Sequence, residues 1–444
     1  MSSAILPGTI RISAGAPLLE EPPPHPGPLG PVFPRNPPLE GLPPRTEAGA
    51  ARLTTIRELC YTDGMKPSST SLDIQPFLVM DVMERANTLA SAGRDVIHLE
   101  VGEPDFDTPP CIRRAAWEAM EKGKTHYTDS LGIPELREAI SGHYARTYGV
   151  KVDVDRIVVT AGSSPALLLA MACLIDAGDT VMMTDPYYAC YPNFVKVLKG
   201  TPLFVPTGSA DGFQLDPGKA HALIKPSTRA IVVNSPANPT GVCLDAEHMK
   251  AIASLGVPVI SDEIYHGLVY ESEQHTILEF TDEAVVINGF SKAYAMTGWR
   301  LGWAIFPAHM IRSVQKLQQN LMICAPSVAQ WAGVAALTEA GPDVERMHRT
   351  FGRRRKVMLD EMARWRFNVE VEPTGAFYVL VNMRKYTKDS RAFAMEILER
   401  TGVGVTPGID FGSGAEGYIR FSYANSETNI VEGISRVARF LESV

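Results

Sequence analysis

Short, nearly continuous runs of apolar residues recur through the middle of the chain, and stretches of helical periodicity lie between several of them. Two such helical stretches are residues 166–177 and 246–255. The apolar runs are rich in β-branched residues and predict five strands, at residues 157–160, 180–184, 230–234, 257–261 and 285–288. Strands that are apolar on both faces and separated by helices indicate a mostly parallel sheet covered on both sides. We therefore expect an α/β fold with its chemistry at the carboxyl ends of the strands.

The pattern differs on either side of this region. Upstream, residues 75–92 and 133–148 have helical periodicity, and residues 96–101 are strand-like. Downstream, the pattern predicts two long amphipathic helices and two strands, at residues 343–365, 390–401, 376–381 and 418–423. The downstream region is therefore expected to form a second, smaller α+β domain.

The beginning of the chain has a different composition. Thirteen of the 34 prolines fall within the first 44 residues, and such a segment cannot form regular helix or sheet. We predict a disordered extension; an over-extended start site, with the functional protein beginning near Met65, is the alternative. The expected division is a proline-rich extension, an N-terminal arm with part of the small domain, a large domain and a C-terminal small domain, at residues 1–64, 65–106, 107–342 and 343–444.

Composition and charge exclude several classes of function. The 444 residues carry 42 basic and 50 acidic side chains, which gives a net charge of −8. A nucleic-acid binder has a basic footprint instead, so we interpret the basic run 353–356 as one solvated helix face. No stretch approaches the roughly 18 apolar residues that would indicate a membrane span. We expect neither a nucleic-acid partner nor a membrane segment.

Two further patterns argue against other sites. Six cysteines are scattered without a CxxC pair or a Cys/His cluster, so we expect no metal, and reduced thiols in a cytoplasmic protein. Gly412, Gly414 and Gly417 spell GxGxxG, but a predicted strand follows them where a dinucleotide site needs a helix. We interpret these three residues as loop glycines.

Four loop segments carry the polar residues that point to one chemistry. They read NSPANPTG, SDEIY, SKAYAMTGWR and GYIRFSYA, at residues 234–241, 261–265, 291–300 and 417–424. Together they resemble the class I/II aminotransferases, which are fold-type-I pyridoxal-phosphate enzymes of the aspartate/aromatic aminotransferase-like superfamily. Further matches are VGEPDF and DPYY, at residues 101–106 and 185–188. The resemblance extends from about Met65 to the C-terminus.

The resemblance implies a large domain with a mostly parallel seven-stranded sheet between helices, and a smaller α+β domain. It implies an enzyme dependent on pyridoxal 5'-phosphate (PLP) that moves the amino group of an L-amino acid to a 2-oxo acid, by a ping-pong mechanism through pyridoxamine phosphate. It also implies a homodimer with shared active sites. Two alternatives are a PLP-dependent lyase or synthase, acting by β-elimination or like aminocyclopropane-carboxylate synthase, and a catalytically silent relative that binds PLP as a regulator.

The resemblance assigns the catalytic roles residue by residue. Lys292 matches the lysine that holds the PLP aldehyde as a Schiff base and, once freed, carries a proton. Asp262 matches the carboxylate that keeps the pyridine nitrogen protonated. Tyr265 and Asn238 match the residues that hydrogen-bond the phenolic oxygen of the cofactor, and Asn238 is also expected to contact the substrate.

The remaining cofactor contacts follow from the same resemblance. Arg300 matches the phosphate-binding arginine, and a helix N-terminus behind Gly162 suits an anion. Tyr127 would reach the phosphate of the neighbouring subunit, and Tyr188 aligns with the aromatic residue that stacks on the ring. The other cofactor-binding residues expected are Ser163, Ser164 and Ser291.

Substrate binding is expected from three positions. Arg420 matches the arginine that binds the α-carboxylate, for which a planar bidentate group is well suited. Gly102 matches a backbone contact to the same carboxylate. Ser164 stands where relatives that act on dicarboxylic acids carry a lysine, which favours a neutral or aromatic amino donor. The apolar segment 321–326 is interpreted as part of the substrate pocket or, alternatively, of a dimer interface.

Overall fold

The strands predicted from apolar runs are present and pair with others in a large sheet. The computed structural model describes residues 66–444, so the extension predicted over residues 1–64 lies outside the described residues. In chain order the described strands are β1 (Ile97–His98), β2 (Ile157–Thr160), β3 (Thr180–Asp185), β4 (Thr201–Pro206), β5 (Thr228–Asn234), β6 (Val259–Asp262), β7 (Ala284–Gly289), β8 (Gly302–Ile305), β9 (Tyr378–Asn382), β10 (Val403–Gly404), β11 (Thr406–Pro407) and β12 (Tyr418–Ser422).

Seven of these strands form the large sheet, in the order β2, β8, β7, β6, β5, β3, β4. Neighbouring strands from β7 to β4 run parallel, and β8 runs antiparallel to both of its neighbours. Every residue of β2, β6, β7 and β8 is buried. The expected mostly parallel seven-stranded sheet is therefore confirmed.

Helices pack against the sheet and complete two hydrophobic cores. Side chains alternate between the faces of a strand, so Ile157 and Val159 of β2 lie in one core and Val158 lies in the other. In chain order the described α-helices are α1 (Ser69–Asp73), α2 (Leu78–Ser91), α3 (Pro110–Glu121), α4 (Pro134–Tyr148), α5 (Ser163–Leu174), α6 (Tyr191–Val197), α7 (Pro217–Leu223), α8 (Ala246–Ala253), α9 (Ile311–Leu321), α10 (Ser327–Thr338), α11 (Gly341–Arg364), α12 (Ser390–Thr401) and α13 (Glu427–Leu441).

A third core surrounds a three-stranded antiparallel sheet of order β11, β12, β9. Phe421 of β12 and Val379 of β9 are buried in this core with Phe351 of α11. The short strand β1 pairs in parallel with β10, and Ile97 joins the same core. The segment before residue 106 thus packs with the C-terminal part of the chain, although the expected division at residues 106 and 342 stays a prediction.

The interpretation of the basic run 353–356 as one solvated face is wrong. Arg353 is exposed, but only 8% of Arg354 and 4% of Arg355 is accessible to solvent. Successive helical residues point about 100° apart, so four in a row cannot share a face. Arg354 donates two hydrogen bonds to the carboxylate of Asp105, at 2.6 and 2.9 Å.

Some elements differ from the sequence prediction for local reasons. The pattern does not predict β4, which lies at the edge of the sheet and contains two prolines. It also does not predict β8, which has only four residues and begins with Gly302. The strand predicted at 96–101 is only the two residues of β1. Among residues 66–444, no helix is both long and apolar enough to cross a membrane.

Candidate active site

The central strands end side by side and open on one cavity. Asn234 ends β5 and Asp262 ends β6, and the two are register partners. The loop after β7 carries Ser291 and Lys292. The cavity has a volume of about 340 Å³, which is within the range of small-molecule pockets. The chemistry expected at the carboxyl ends of the strands therefore has a cavity in which to occur.

The structure brings most of the predicted site residues together. Gly162 lies behind Arg300, because a Cβ built on Gly162 would lie only 2.7 Å from Arg300 Nη2. Tyr127 is not among the residues that line the cavity, and 81% of it is exposed. The eleven other predicted residues line the cavity, namely Gly102, Ser163, Ser164, Tyr188, Asn238, Asp262, Tyr265, Ser291, Lys292, Arg300 and Arg420.

The amine of Lys292 lies deep in the cavity. Its Nζ donates a hydrogen bond to the carbonyl oxygen of Gly102, at 2.6 Å. Burial lowers the pKa of Lys292 to about 8, and the positive charges of Arg420 and Arg300 act in the same direction. Lys292 is therefore neutral in a larger fraction of molecules near neutral pH than an exposed lysine, and a neutral amine can act as a nucleophile or a base.

The carboxylate of Asp262 is held by two hydrogen bonds. It accepts one from the hydroxyl of Tyr191, at 2.6 Å, and one from the backbone amide of Ile264, at 3.2 Å. Burial raises the pKa of Asp262 to about 6. A positively charged group beside this carboxylate would favour its ionised form. Sequence reasoning missed Tyr191, because its position in α6 carries no local signal of contact with β6.

A pair of tyrosines forms the side of the cavity next to the small sheet. The hydroxyl groups of Tyr265 and Tyr378 lie 2.8 Å apart. Tyr378 begins β9, and a Cβ on Gly102 would collide with its hydroxyl. The strand at this position was predicted, but only its apolar pattern was visible in the sequence. The role of Tyr378 in the cavity wall was therefore missed.

One end of the cavity presents a cation and free backbone amides. Arg300 has a left-handed backbone, with a φ of 53°, and donates to the carbonyl of Thr297 at 2.8 Å. Ser163 and Ser164 are the first residues of α5, whose initial amide groups have no partners within the helix. A helix N-terminus beside a guanidinium group suits the binding of a phosphate.

The guanidinium of Arg420 is buried, with only 2% of the residue exposed. It donates to Asn238 Oδ1 at 2.8 Å, to the carbonyl of Glu100 at 2.6 Å and to Thr406 Oγ1 at 3.0 Å. It also lies 4.2 Å from the ring centroid of Tyr378. Arg420 Nε has no hydrogen-bond partner in the described structure. A buried cation with an unused donor suits an anionic group of a ligand.

One part of the cavity lining is apolar and was not predicted. It consists of residues at the beginning of α2 and just before it, namely Phe77, Val79, Met80 and Met83. We call these four residues the apolar wall. Helical periodicity over residues 75–92 predicted the helix, but no pattern could indicate what its first turn faces. The ring of Phe77 meets that of Tyr188 edge to face, at 6.1 Å between centroids.

Comparison with known proteins identifies the family. The family model described as "Aminotransferase class I and II" matches residues 94–437. This chain belongs to that family. The relatives of this aminotransferase match almost the whole described part of the chain, and their named activities differ.

Two relatives illustrate this range. The (5-formylfuran-3-yl)methyl phosphate transaminase of Methanocaldococcus jannaschii is 42% identical over 379 residues, which cover 84% of this chain and 99% of the relative. The valine–pyruvate aminotransferase of Mycobacterium tuberculosis is 39% identical over 378 residues, covering 83% and 97%. Named relatives are aminotransferases, so the expected PLP-dependent amino transfer is confirmed.

Solved structures of aminotransferases confirm the fold. An aminotransferase from Mycobacterium tuberculosis has a TM-score of 0.82 and 38% identity, over 86% of this chain and 100% of that one. The aspartate aminotransferase of Thermus thermophilus with maleate has a TM-score of 0.81 and 36% identity, over 84% and 99%. The expected fold-type-I architecture is therefore confirmed.

The donor set of the cavity fits PLP, which members of this family use as cofactor. Gly162 leaves space for Arg300 at the phosphate end, and Asp262, of which only 3% is exposed, is a buried carboxylate that a protonated pyridine nitrogen would complement. Residues that could hold the cofactor, from phosphate to aldehyde, are Arg300, Ser163, Ser164, Asp262, Tyr265, Asn238 and Lys292. Within residues 66–444, no group of His, Cys, Asp and Glu side chains could hold a metal ion.

Proposed function

We propose that this aminotransferase prefers neutral or aromatic L-amino acids as amino donors. The observation that carries the proposal is the apolar wall, which lines the same cavity as Arg420 and Lys292. When an apolar side chain leaves water for such a wall, the free energy of binding becomes more favourable by about 25 cal/mol per Å² of apolar surface buried. An ionised side-chain carboxylate gains nothing there and would lose hydration.

The proposed roles begin with the substrate carboxylate. Arg420 binds the α-carboxylate, and its Nε is the guanidinium nitrogen left without a partner for that anionic group. Asn238 and Thr406 hold the guanidinium in place by accepting hydrogen bonds from it. Gly102 lines the same cavity as Arg420 and has no side chain. The amino acid is thus oriented with its side chain free to contact the apolar wall.

The proposed proton carrier is Lys292. PLP, when bound, supplies an aldehyde and an electron-accepting ring on which an amino group can be held between the two substrates. Lys292 Nζ removes the proton from Cα of the bound amino acid, for which its pKa of about 8 is well matched to neutral pH. Asp262 stabilises positive charge at the ring nitrogen, and Tyr191 keeps this carboxylate in position.

The named activities of the relatives differ, so the donor specificity of this chain has to be measured. The valine–pyruvate relative acts on a neutral amino acid, whereas other relatives of similar identity are named aspartate aminotransferases. In this chain Ser164 is uncharged and cannot pair with a distal carboxylate as an ammonium group can. The position of Ser164 in the cavity therefore supports a neutral or aromatic donor.

Steady-state kinetics with a panel of donors tests the proposal. We expect kcat/KM for phenylalanine, leucine or alanine to exceed that for aspartate and glutamate by at least about tenfold, which corresponds to about 1.4 kcal/mol. The panel uses one acceptor, pyruvate or 2-oxoglutarate, at a fixed saturating concentration. A kcat/KM for aspartate or glutamate equal to or above the best neutral donor would contradict the proposal.

We further propose that the enzyme is a homodimer with shared active sites. Tyr127 is exposed, as expected of a residue that reaches into a neighbouring subunit. Trp117, Leu321 and Ile323 are also exposed, at 59%, 57% and 49%, and large apolar side chains in such number favour an interface. The segment 321–326 is not among the residues that line this chain's cavity, which favours its interpretation as an interface segment.

The location and division of the chain also remain proposals. Cysteines 111, 173, 190, 243 and 324 carry free thiols, which supports a reducing compartment such as the cytoplasm. Separate cores around the seven-stranded and three-stranded sheets support a large domain at residues 107–342 and a small domain at residues 343–444 joined by part of residues 65–106.

A further inference from the structure

The helix that carries the apolar wall has an unusual N-terminal cap. The residue at the cap position of α2 is Phe77, whose side chain cannot accept a hydrogen bond. Asp410, which lies 332 residues further along the chain than Leu78, takes this role instead. Its Oδ1 accepts from the amide of Leu78 at 2.9 Å, and its Oδ2 accepts from the amide of Val79 at 3.2 Å.

The two ends of α2 are held differently. Its later turns pack through Val82 and Ala86 against Leu398 of α12. Its first turn lies at the cavity, where Val79 is buried and 47% of Met80 is exposed. The carboxylate of Asp410 therefore holds the part of the helix that forms the apolar wall. Hydrogen bonds to a charged group are among the strong ones in proteins.

The turn that contains Asp410 also contacts the substrate arginine. Residues Gly408–Phe411 form a 3-10 helix, and the ring centroid of Phe411 lies 4.9 Å from the guanidinium carbon of Arg420. One side of this turn thus packs on the proposed carboxylate-binding group while Asp410 binds the apolar wall. The position of one relative to the other depends on this turn.

The glycine segment 412–417 fixes the same turn to a third part of the site. Ser413 Oγ and the amide of Gly414 both donate to the carboxylate of Asp185, each at 2.9 Å. The carbonyl of Phe411 accepts from the amide of Tyr187 at 3.0 Å. Both contacts lie just before the ring-stacking position in the DPYY segment. The segment with the GxGxxG pattern, interpreted from sequence as loop glycines, therefore helps to hold the turn next to the DPYY segment.

We propose that Asp410 is a positioning residue for donor specificity, because it fixes the apolar wall at a set distance from Arg420. The inference rests on the proposed preference for neutral or aromatic donors and names the residue that maintains it. A long or aromatic side chain contacts the apolar wall, whereas the methyl group of alanine is too short to depend on it equally. Loss of the cap should therefore change the ratio of kcat/KM for phenylalanine to that for alanine.

The test compares variants that break the same hydrogen bonds from each side. Asp410→Asn keeps the shape but replaces one acceptor oxygen by a donor. Leu78→Pro removes the amide N–H from which Asp410 Oδ1 accepts a hydrogen bond, at a first helical position where proline is tolerated. Leu78→Ala is its control because alanine keeps this N–H. Asp389→Asn is the control for loss of a capping carboxylate, since Asp389 caps α12 by accepting from the amide of Ala392 and is not among the residues that line the cavity.

The expected result is a fall of about tenfold in the phenylalanine-to-alanine ratio for Asp410→Asn and Leu78→Pro, because the apolar wall is then no longer held by a hydrogen bond to a charged group. Leu78→Ala and Asp389→Asn should stay within about twofold of the wild type. Hydrogen exchange of the amides in the first turn of α2 should become faster in the first two variants only. A structural role alone would lower both kcat/KM values together and leave their ratio unchanged.

A ratio within twofold of the wild type in both Asp410→Asn and Leu78→Pro would overturn the inference, as would an equal fall in Asp389→Asn. If Asp410→Asn does not fold, Leu78→Pro against Leu78→Ala decides. A wild-type enzyme that prefers aspartate or glutamate contradicts the proposed donor class instead, and this is measured before any variant is made. Failure of the two proposals is therefore distinguishable.

Discussion

At the scale of single residues, burial explains how ordinary side chains acquire the properties that amino transfer needs. Asp262 is buried and Lys292 is half-buried in the cavity, and loss of hydration moves their pKa values in opposite directions, to about 8 for Lys292 and about 6 for Asp262. Each value lies near neutral pH. Small changes in neighbouring charge can therefore set the protonation state of either group.

The pKa of Lys292 can be measured without cofactor. Competitive labelling of the apoprotein with acetic anhydride reports the fraction of neutral amine at each pH. Because burial lowers the pKa, labelling should rise with pH and reach its midpoint near pH 8, rather than near the ordinary lysine value of about 10.4. Exposed lysines in the same digest serve as internal controls. A midpoint above pH 10 for Lys292 would show that the cavity does not lower its pKa.

The two arginines of the site should fail in different ways. Arg420→Lys keeps the charge but loses the planar fork and the contact with the Tyr378 ring, so KM for the amino donor should rise about 10- to 100-fold. Arg300→Lys should instead weaken cofactor retention, measured as bound PLP after dialysis. Loss of PLP from Arg420→Lys with an unchanged KM would show that the two roles had been exchanged.

At the scale of elements, the sequence predicts those parts of the site that follow strands. Asp262 comes directly after an apolar run and Lys292 lies in the loop after another, and parallel strands bring such ends together at one edge of the sheet. Tyr191 and Tyr378 could not be predicted in this way. Their contacts depend on how α6 and β9 pack against distant parts of the chain, which no local pattern records.

The basic run in α11 shows the same limit. Charge and periodicity indicated an amphipathic helix with the basic run on its solvated face, but Arg354 turns inward to Asp105 in the segment that also provides Gly102. A single sequence shows which residues are charged, and only tertiary contact decides which of them are buried. The partner carboxylate lies 249 residues away along the chain.

The ion pair of Arg354 with Asp105 should therefore contribute more to stability than the ion pair of Arg353 with Glu427. Arg354→Met keeps the apolar part of the side chain and should lower the free energy of unfolding by about 1–3 kcal/mol, discounted because a third of the Asp105 side chain is exposed. The control Arg353→Met breaks an exposed pair with Glu427 and should cost less than about 1 kcal/mol. Equal losses in urea unfolding would contradict the difference in burial.

At the scale of the whole molecule, one prediction reaches beyond a single chain. Every predicted site residue except Tyr127 lines the cavity or lies directly behind it, and Tyr127 points into solvent. A dimer in which each subunit contributes this tyrosine to the other would complete the site. The same arrangement would cover the exposed side chains of Trp117 and Leu321.

Mixed dimers test whether the sites are shared. Subunits carrying Lys292→Ala are refolded together with subunits carrying Tyr127→Phe, each of low activity alone. If Tyr127 acts across the interface, one site of each mixed dimer combines an intact Lys292 with an intact Tyr127, so activity should recover to about a quarter of the wild type in an equal mixture. If Tyr127 acts within its own subunit, mixing restores no activity, and full activity of Tyr127→Phe before mixing would show that Tyr127 has no role in the site.

A single turnover of the PLP-loaded enzyme with an amino acid and no acceptor distinguishes amino transfer from the other reactions that PLP supports. We expect one equivalent of 2-oxo acid per bound cofactor, no release of ammonia, and a lasting change in the cofactor absorbance that pyruvate reverses. Lys292→Ala is the control and should give no 2-oxo acid on the same time scale. Continued release of ammonia or another fragment, with the absorbance returning unaided, would contradict amino transfer as the reaction of this site.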